Sequence, residues 1–101
     1  MFVRDESVEG EVRLKVNGAL NSEAAEKFQK ELAELAAGNY RTIILDLSEV
    51  PSINSTSLGK ILLLRKALTE EDRTIRINGC SDALYNTFQL INFDRLISID
   101  R

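Results

Sequence analysis

The 101 residues make one domain's worth of chain, with 44% hydrophobic and 29% charged side chains, the proportions of an ordinary globular protein with a single core. Histidine is absent and cysteine occurs once, which excludes imidazole catalysis, His-ligated metals, an internal disulfide and any CxxC site. The formal net charge is −3, with 13 Lys and Arg dispersed among 16 acids, so no basic stripe is available to neutralise the phosphates of a nucleic acid. No apolar run reaches the length of a bilayer span. The opening residues, Met1 to Glu6, carry acids where a signal peptide needs a hydrophobic stretch. A cytoplasmic chain without membrane insertion is therefore expected. No linker, repeat or low-complexity stretch divides the sequence, so residues 1–101 are assigned to a single domain.

In chain order, Phe2 to Val8 offers a weak first strand, with Gly10 as the turn after it. Glu11 to Asn17 alternates strictly: Val12, Leu14 and Val16 face one way, Arg13 and Lys15 the other, the pattern of a half-buried strand. Gly18-Ala19-Leu20-Asn21 is a connector, and Asn21 or Ser22 can cap a helix. Ala25, Phe28, Leu32, Leu35 and Ala36 recur at helical spacing, Glu23/Lys27 and Glu26/Lys30 form i,i+4 pairs, and Gly38 supplies a stop. This predicts a helix over Ser22 to Ala37. Thr42 to Leu47 is apolar on both faces until Asp46 and predicts a fully buried strand of a parallel sheet. Ser48 to Ile53 is a loop holding Pro51, the one proline. Asn54 can cap a second helix over Ser55 to Leu68. Arg73 to Ile77 is a further strand and Gly79 to Asp82 a turn. Leu84, Phe88 and Ile91 mark a short third helix, and Ile97 to Ile99 a last strand. The order β-β-α-β-α-β-α-β favours an α/β layer structure with right-handed crossovers.

The chemistry concentrates between Asp46 and Gly59. A buried strand runs into a loop, and the loop enters a helix through Asn54-Ser55-Thr56-Ser57. A helix N-terminus carries unpaired N–H groups and partial positive charge, so it can hold an anion or a phosphoryl group. A first-turn hydroxyl is well placed to carry phosphate, although on composition alone the four residues read first as a plain capping sequence. On a helical wheel at about 100° per residue, Ser57, Ile61, Leu64 and Leu68 form the core face. Ser55, Gly59 and Leu63 share an outward surface. A helical glycine costs about 1 kcal/mol relative to alanine, and Gly59 with exposed Leu63 suits a partner that approaches closely.

This segment resembles the STAS domain family, the sulfate transporter and anti-sigma factor antagonist domains. The family signature runs roughly Asp-Leu-Ser, a short apolar stretch, then Asp-Ser-Ser/Thr/Ala-Gly-Leu-Gly. Here it reads Asp46-Leu47-Ser48, Val50-Pro51-Ser52-Ile53 and Asn54-Ser55-Thr56-Ser57-Leu58-Gly59. Gly18-Ala19-Leu20-Asn21 likewise resembles the family's Gly-x-Leu/Ile-Asp turn. Asn54 and Asn21 replace the usual aspartates, and Ser57 replaces a glycine. The resemblance implies a mixed β-sheet of about four to five strands packed against about three helices, with no catalytic residues, metal or cofactor. It also implies phosphorylation-controlled partner switching. The unphosphorylated chain binds an anti-sigma factor that is a serine/threonine kinase, and phosphorylation of Ser55 releases it, with a serine phosphatase as a further partner. The implied partner surface comprises Asn21, Asn54, Ser55, Thr56, Gly59 and Leu63 on a monomer or weak dimer.

Two rivals stand beside this. One is a non-switching STAS scaffold or regulatory subunit of a sensory complex or lipid-transport system, which the two asparagines favour. The other is an acyl enzyme built on Ser57-Leu58-Gly59-Lys60, a Ser-x-x-Lys match without its companion motifs. Ser52, Thr56 and Ser57 are alternative phosphoacceptors. Asp46 is expected to bond nearby backbone and Cys80 to be a structural thiol.

Overall fold

A computed structural model describes all 101 residues. Five strands form one sheet in chain order: β1 (Phe2–Asp5), β2 (Glu11–Asn17), β3 (Thr42–Glu49), β4 (Thr74–Cys80) and β5 (Ser98–Asp100). The β1–β2 pair is antiparallel and the rest are parallel, so the mixed α/β sheet expected from the sequence is present. Helices α1 (Ser22–Ala37), α2 (Ser55–Glu70) and α3 (Asp82–Leu90) fill the three parallel crossovers. Because each crossover steps to the next strand in the same direction, the right-handed rule puts all three helices on one face of the sheet.

The burial pattern agrees. In register, Val12 pairs Ile43 and Ile43 pairs Ile75, while Leu14 pairs Leu45 and Leu45 pairs Ile77. These residues join Phe28, Leu35, Ile61, Leu68, Phe88 and Phe93 in one continuous core. The opposite sheet face carries no helix. There Ile44 is 3% exposed and lies in register between Arg13 and Arg76, whose aliphatic stems can cover it while their charges reach water. The central strand is thus buried on both faces as predicted, though by helices on one face only.

Several boundaries differ from the sequence expectation. The first strand ends at Asp5, short of Val8, where the Ser7 N–H donates to Asp5 Oδ1 at 2.9 Å and turns the chain. β3 continues to Glu49 and α2 to Glu70. Gly79 and Cys80 belong to β4 and not to a turn. Gly79 has φ +87°, and a Cβ there would lie 3.1 Å from Asp46 Oδ1; a glycine at this close approach lets β4 extend past the Asp46–Ser48 corner. Ile91 is not part of the third helix's buried face: it lies just past the helix end and is 48% exposed. The core residue after α3 is Phe93, in a short 3-10 turn (Phe93–Arg95), stacked on Phe88 with ring centroids 5.2 Å apart.

The end of α1 has a tie that local sequence does not reveal. Arg73, the residue before β4, donates to the carbonyls of Tyr40 at 2.6 Å, Ala36 at 2.9 Å and Gly38 at 3.1 Å. α1 has no basic residue in its last turn, and this guanidinium, 38 positions after Leu35 whose carbonyl it also approaches, takes that place.

Candidate functional site

The site is built where two loops leave the sheet side by side. β3 breaks register on both sides, against β2 between Lys15 and Asn17 and against β4 between Leu45 and Leu47. Such bulges bend a strand and re-aim the chain beyond them. Asp46 Oδ1 accepts from the Ser48 hydroxyl at 2.6 Å and the Ser48 N–H at 3.0 Å, which organises the turn. Val50, 1% exposed, then anchors the loop in the core.

Three backbone hydrogen bonds lace this loop to the Gly18–Asn21 connector. Gly18 N–H donates to Glu49 O at 3.1 Å, Leu20 N–H to Ser52 O at 2.9 Å, and Asn54 N–H to Leu20 O at 2.9 Å. Leu20 and Ile53 make a parallel bridge between them. The lacing sets the starts of α1 and α2 beside each other. Each is closed by an asparagine: Asn21 Oδ1 accepts from Ala24 N–H at 3.0 Å, and Asn54 Oδ1 from Ser57 N–H at 2.8 Å. One side-chain oxygen suffices for that task, so the aspartate-to-asparagine departures leave both caps intact. They do remove negative charge, and the first turn of α2 holds no acid at all.

The six residues singled out from the sequence fall on this edge and the helix surface leading away from it. Asn21, Ser55 and Thr56 are exposed and Asn54 half-buried. Gly59 is half-buried, with nothing within 4 Å of where a Cβ would stand. Leu63 is 61% exposed. At about 1.5 Å per residue, Gly59 and Leu63 lie roughly 6 and 12 Å along the axis from Ser55. The outward Ser55–Gly59–Leu63 surface is therefore present as the wheel predicts.

Ser57 points the other way. It is 0% exposed, and its Oγ has no hydrogen-bond partner. A sealed hydroxyl without a base in reach cannot serve as a nucleophile, so the Ser57/Lys60 acyl-enzyme reading is overturned, and Ser57 is closed to a kinase as well. Lys60 instead lines a groove between α1 and α2 with Leu63, Ala67, Ala33 and Ala36. That groove was not singled out from the sequence; its signal was Ala33 and Ala36 on α1 with Ala67 beside the exposed Leu63 on α2. Cys80 is half-buried, and burial pushes its thiol above the ordinary value. No group of three or more Cys, Asp or Glu is placed to hold a metal ion, and no helix is long and apolar enough to cross a membrane.

The chain as a whole is similar to known proteins. TM1081 of Thermotoga maritima superposes with a TM-score of 0.90 at 30% identity, over 100% of this chain and 86% of that one. The anti-sigma-B factor antagonist of Staphylococcus aureus is 26% identical over 87 residues, covering 86% of this chain and 81% of that protein. The Bacillus cell fate determinant SpoIIAA, solved in its phosphorylated form, shares the fold with a TM-score of 0.76 at 17% identity, over 100% of this chain and 92% of that one. A family model described as "Mlab, STAS domain" matches residues 3–98. With almost the whole length matched by that model, the chain belongs to the STAS domain family.

Proposed function

We propose that this chain is an anti-sigma factor antagonist that works by partner switching: unmodified, it binds an anti-sigma factor serine/threonine kinase, and phosphorylation of Ser55 ends the complex. The observation that carries the reading is the Ser55 hydroxyl, exposed in the first turn of a helix whose neighbours Thr56, Gly59 and Leu63 form an open surface. The S. aureus relative is named an anti-sigma-B factor antagonist. A phosphate at Ser55 sits by the positive end of the α2 dipole, so the chain itself tolerates it. In an interface the same dianion must be desolvated and repels any acid opposite, and a penalty of a few kcal/mol lowers affinity by orders of magnitude. ATP and magnesium belong to the kinase, a serine phosphatase resets the cycle, and the setting is the cytoplasm. The chain contributes a surface and an acceptor hydroxyl and no catalysis of its own.

The test is intact-mass analysis after incubation with ATP and candidate kinases from the same genome. One phosphoryl group added to the wild type and none to Ser55→Ala supports the reading. Addition to both places the acceptor elsewhere and refutes it.

A second reading has its own support in the uncharged caps. With Asn21 and Asn54 in place of aspartates, both helix starts keep their caps, and the first turn of α2 carries no acid, which suits a constitutive subunit of a sensory or lipid-transport assembly. A pull-down separates the two: a kinase favours switching, a transporter ATPase or a large sensor complex favours the subunit.

A further inference from the structure

The groove between α1 and α2 lies outside the surface assigned above except at Leu63. Its walls are Ala33 and Ala36 of α1 and Leu63 and Ala67 of α2, its floor is Leu32 and Leu64, and it encloses about 200 Å³. Alanines on both walls keep it open, and Leu63, 61% exposed, stands at its rim. From Gln29 to Ala36 on one side and Lys60 to Ala67 on the other, it runs alongside about two helical turns.

Charge indicates what fits there. The chain as a whole is −3, yet α2 carries Lys60, Arg65 and Lys66 against a single carboxylate, Glu70 at its last residue. Arg65 is turned away, donating to Leu96 O at 2.6 Å. Lys60 lines the groove and Lys66 is exposed on the outer side of α2. The α1 rim adds Lys30 against Glu26, which share a depression with Ala33. An apolar floor with a net positive rim complements a helix that is apolar on one face and acidic on its flanks.

We propose that the α1–α2 groove seats an acidic amphipathic helix of a protein partner, its apolar residues between Ala33/Ala36 and Leu63/Ala67 and its carboxylates toward Lys60 and Lys66. This rests on the antagonist reading only for the partner's identity, and it names the segment by which that partner is held. Extended toward the helix starts, the acidic helix would meet a Ser55 phosphate with like charge, which couples seat and switch.

The experiment is an NMR titration of the full chain with two synthetic amphipathic helices of the same leucine spacing, one flanked by Glu and one by Lys. The expected result is that the Glu peptide shifts the amides of Ala33, Ala36, Leu63 and Ala67, and binds at least about tenfold more tightly than the Lys peptide. Leu63→Asp, an exposed change that spares the core, should weaken the Glu peptide at least about tenfold. Lys60→Glu/Lys66→Glu should reverse the preference. Equal binding of both peptides, shifts away from the groove, or occupation by a second copy of the chain in place of the peptide would overturn the proposal. Ser55→Asp keeps the two ideas separate. If it leaves kinase binding unchanged while the Glu peptide still enters the groove, the switch fails and the seat stands. If it weakens kinase binding while the peptide shifts nothing, the seat fails and the switch stands.

Discussion

Replacing Ser57 by alanine should make the protein more stable, although it removes a polar residue from the family's signature segment. The Ser57 Oγ is sealed at 0% exposure with no hydrogen-bond partner. A buried, unsatisfied polar group costs about 1–3 kcal/mol, and alanine removes it. Alanine is also the better helix former, by roughly half a kcal/mol. Against this stands the loss of one oxygen's volume, a void smaller than a methyl group and worth less than about 1 kcal/mol. The cap is untouched, because Asn54 Oδ1 accepts from the Ser57 backbone N–H and not from its side chain. The net gain is about 1–2 kcal/mol, and since 1 kcal/mol moves Tm by roughly 4–8 °C in a domain of this size, Tm should rise by about 4–16 °C. Urea unfolding followed by circular dichroism, with m unchanged, measures it. An unchanged or lower midpoint would mean that the hydroxyl finds a partner in the folded state, and the reasoning would be wrong.

Arg73→Ala should cost about 2–4 kcal/mol, because it strands several carbonyls at the end of α1 that a charged donor now satisfies; chemical denaturation checks it, and a loss under about 0.5 kcal/mol, the usual range for an unimportant surface change, would contradict it. Asn54→Ala should lose about 1 kcal/mol through the missing cap, whereas Asn54→Asp should keep the cap and add about 0.3–1 kcal/mol from the helix dipole above the carboxylate pKa; an aspartate variant weaker than alanine at pH 7 would refute the cap assignment. Cys80, its thiol raised first by burial and further by Asp82 against the opposing pull of Arg101, should react with a thiol reagent more slowly than free cysteine at pH 7–8; a faster reaction would contradict a structural thiol.

The legible parts of the fold were those written in local periodicity. β2 and α1 begin and end where alternation and helical spacing place them, because each has an apolar face of its own and an asparagine or glycine at its boundary. The wheel of α2 placed Ser57 inside and Ser55, Gly59 and Leu63 outside for the same reason. What local pattern could not carry was set by neighbours far along the chain. β4 runs through Gly79 because it passes the Asp46–Ser48 corner. Ile91 fails as a core residue because Phe93, stacked on Phe88, takes that role. Arg73 reads as an ordinary strand-start charge until the fold brings it under the end of α1. The candidate site divides similarly. Its caps and hydroxyls were visible as residue types, but the lacing of Leu20 to Ser52 and Asn54 that sets the two helix starts together exists only in three dimensions. So does the groove, whose alanines come from helices some thirty positions apart.

Whether charge at Ser55 controls binding is the central question. The direct measurement is the dissociation constant of the partner kinase for the unmodified chain and for the chain phosphorylated at Ser55, at one fixed ionic strength. Partner switching predicts at least about a hundredfold weaker binding of the phosphorylated form, the equivalent of roughly 2.8 kcal/mol, with the circular dichroism spectrum and Tm essentially preserved. Equal affinities for the two forms would contradict it.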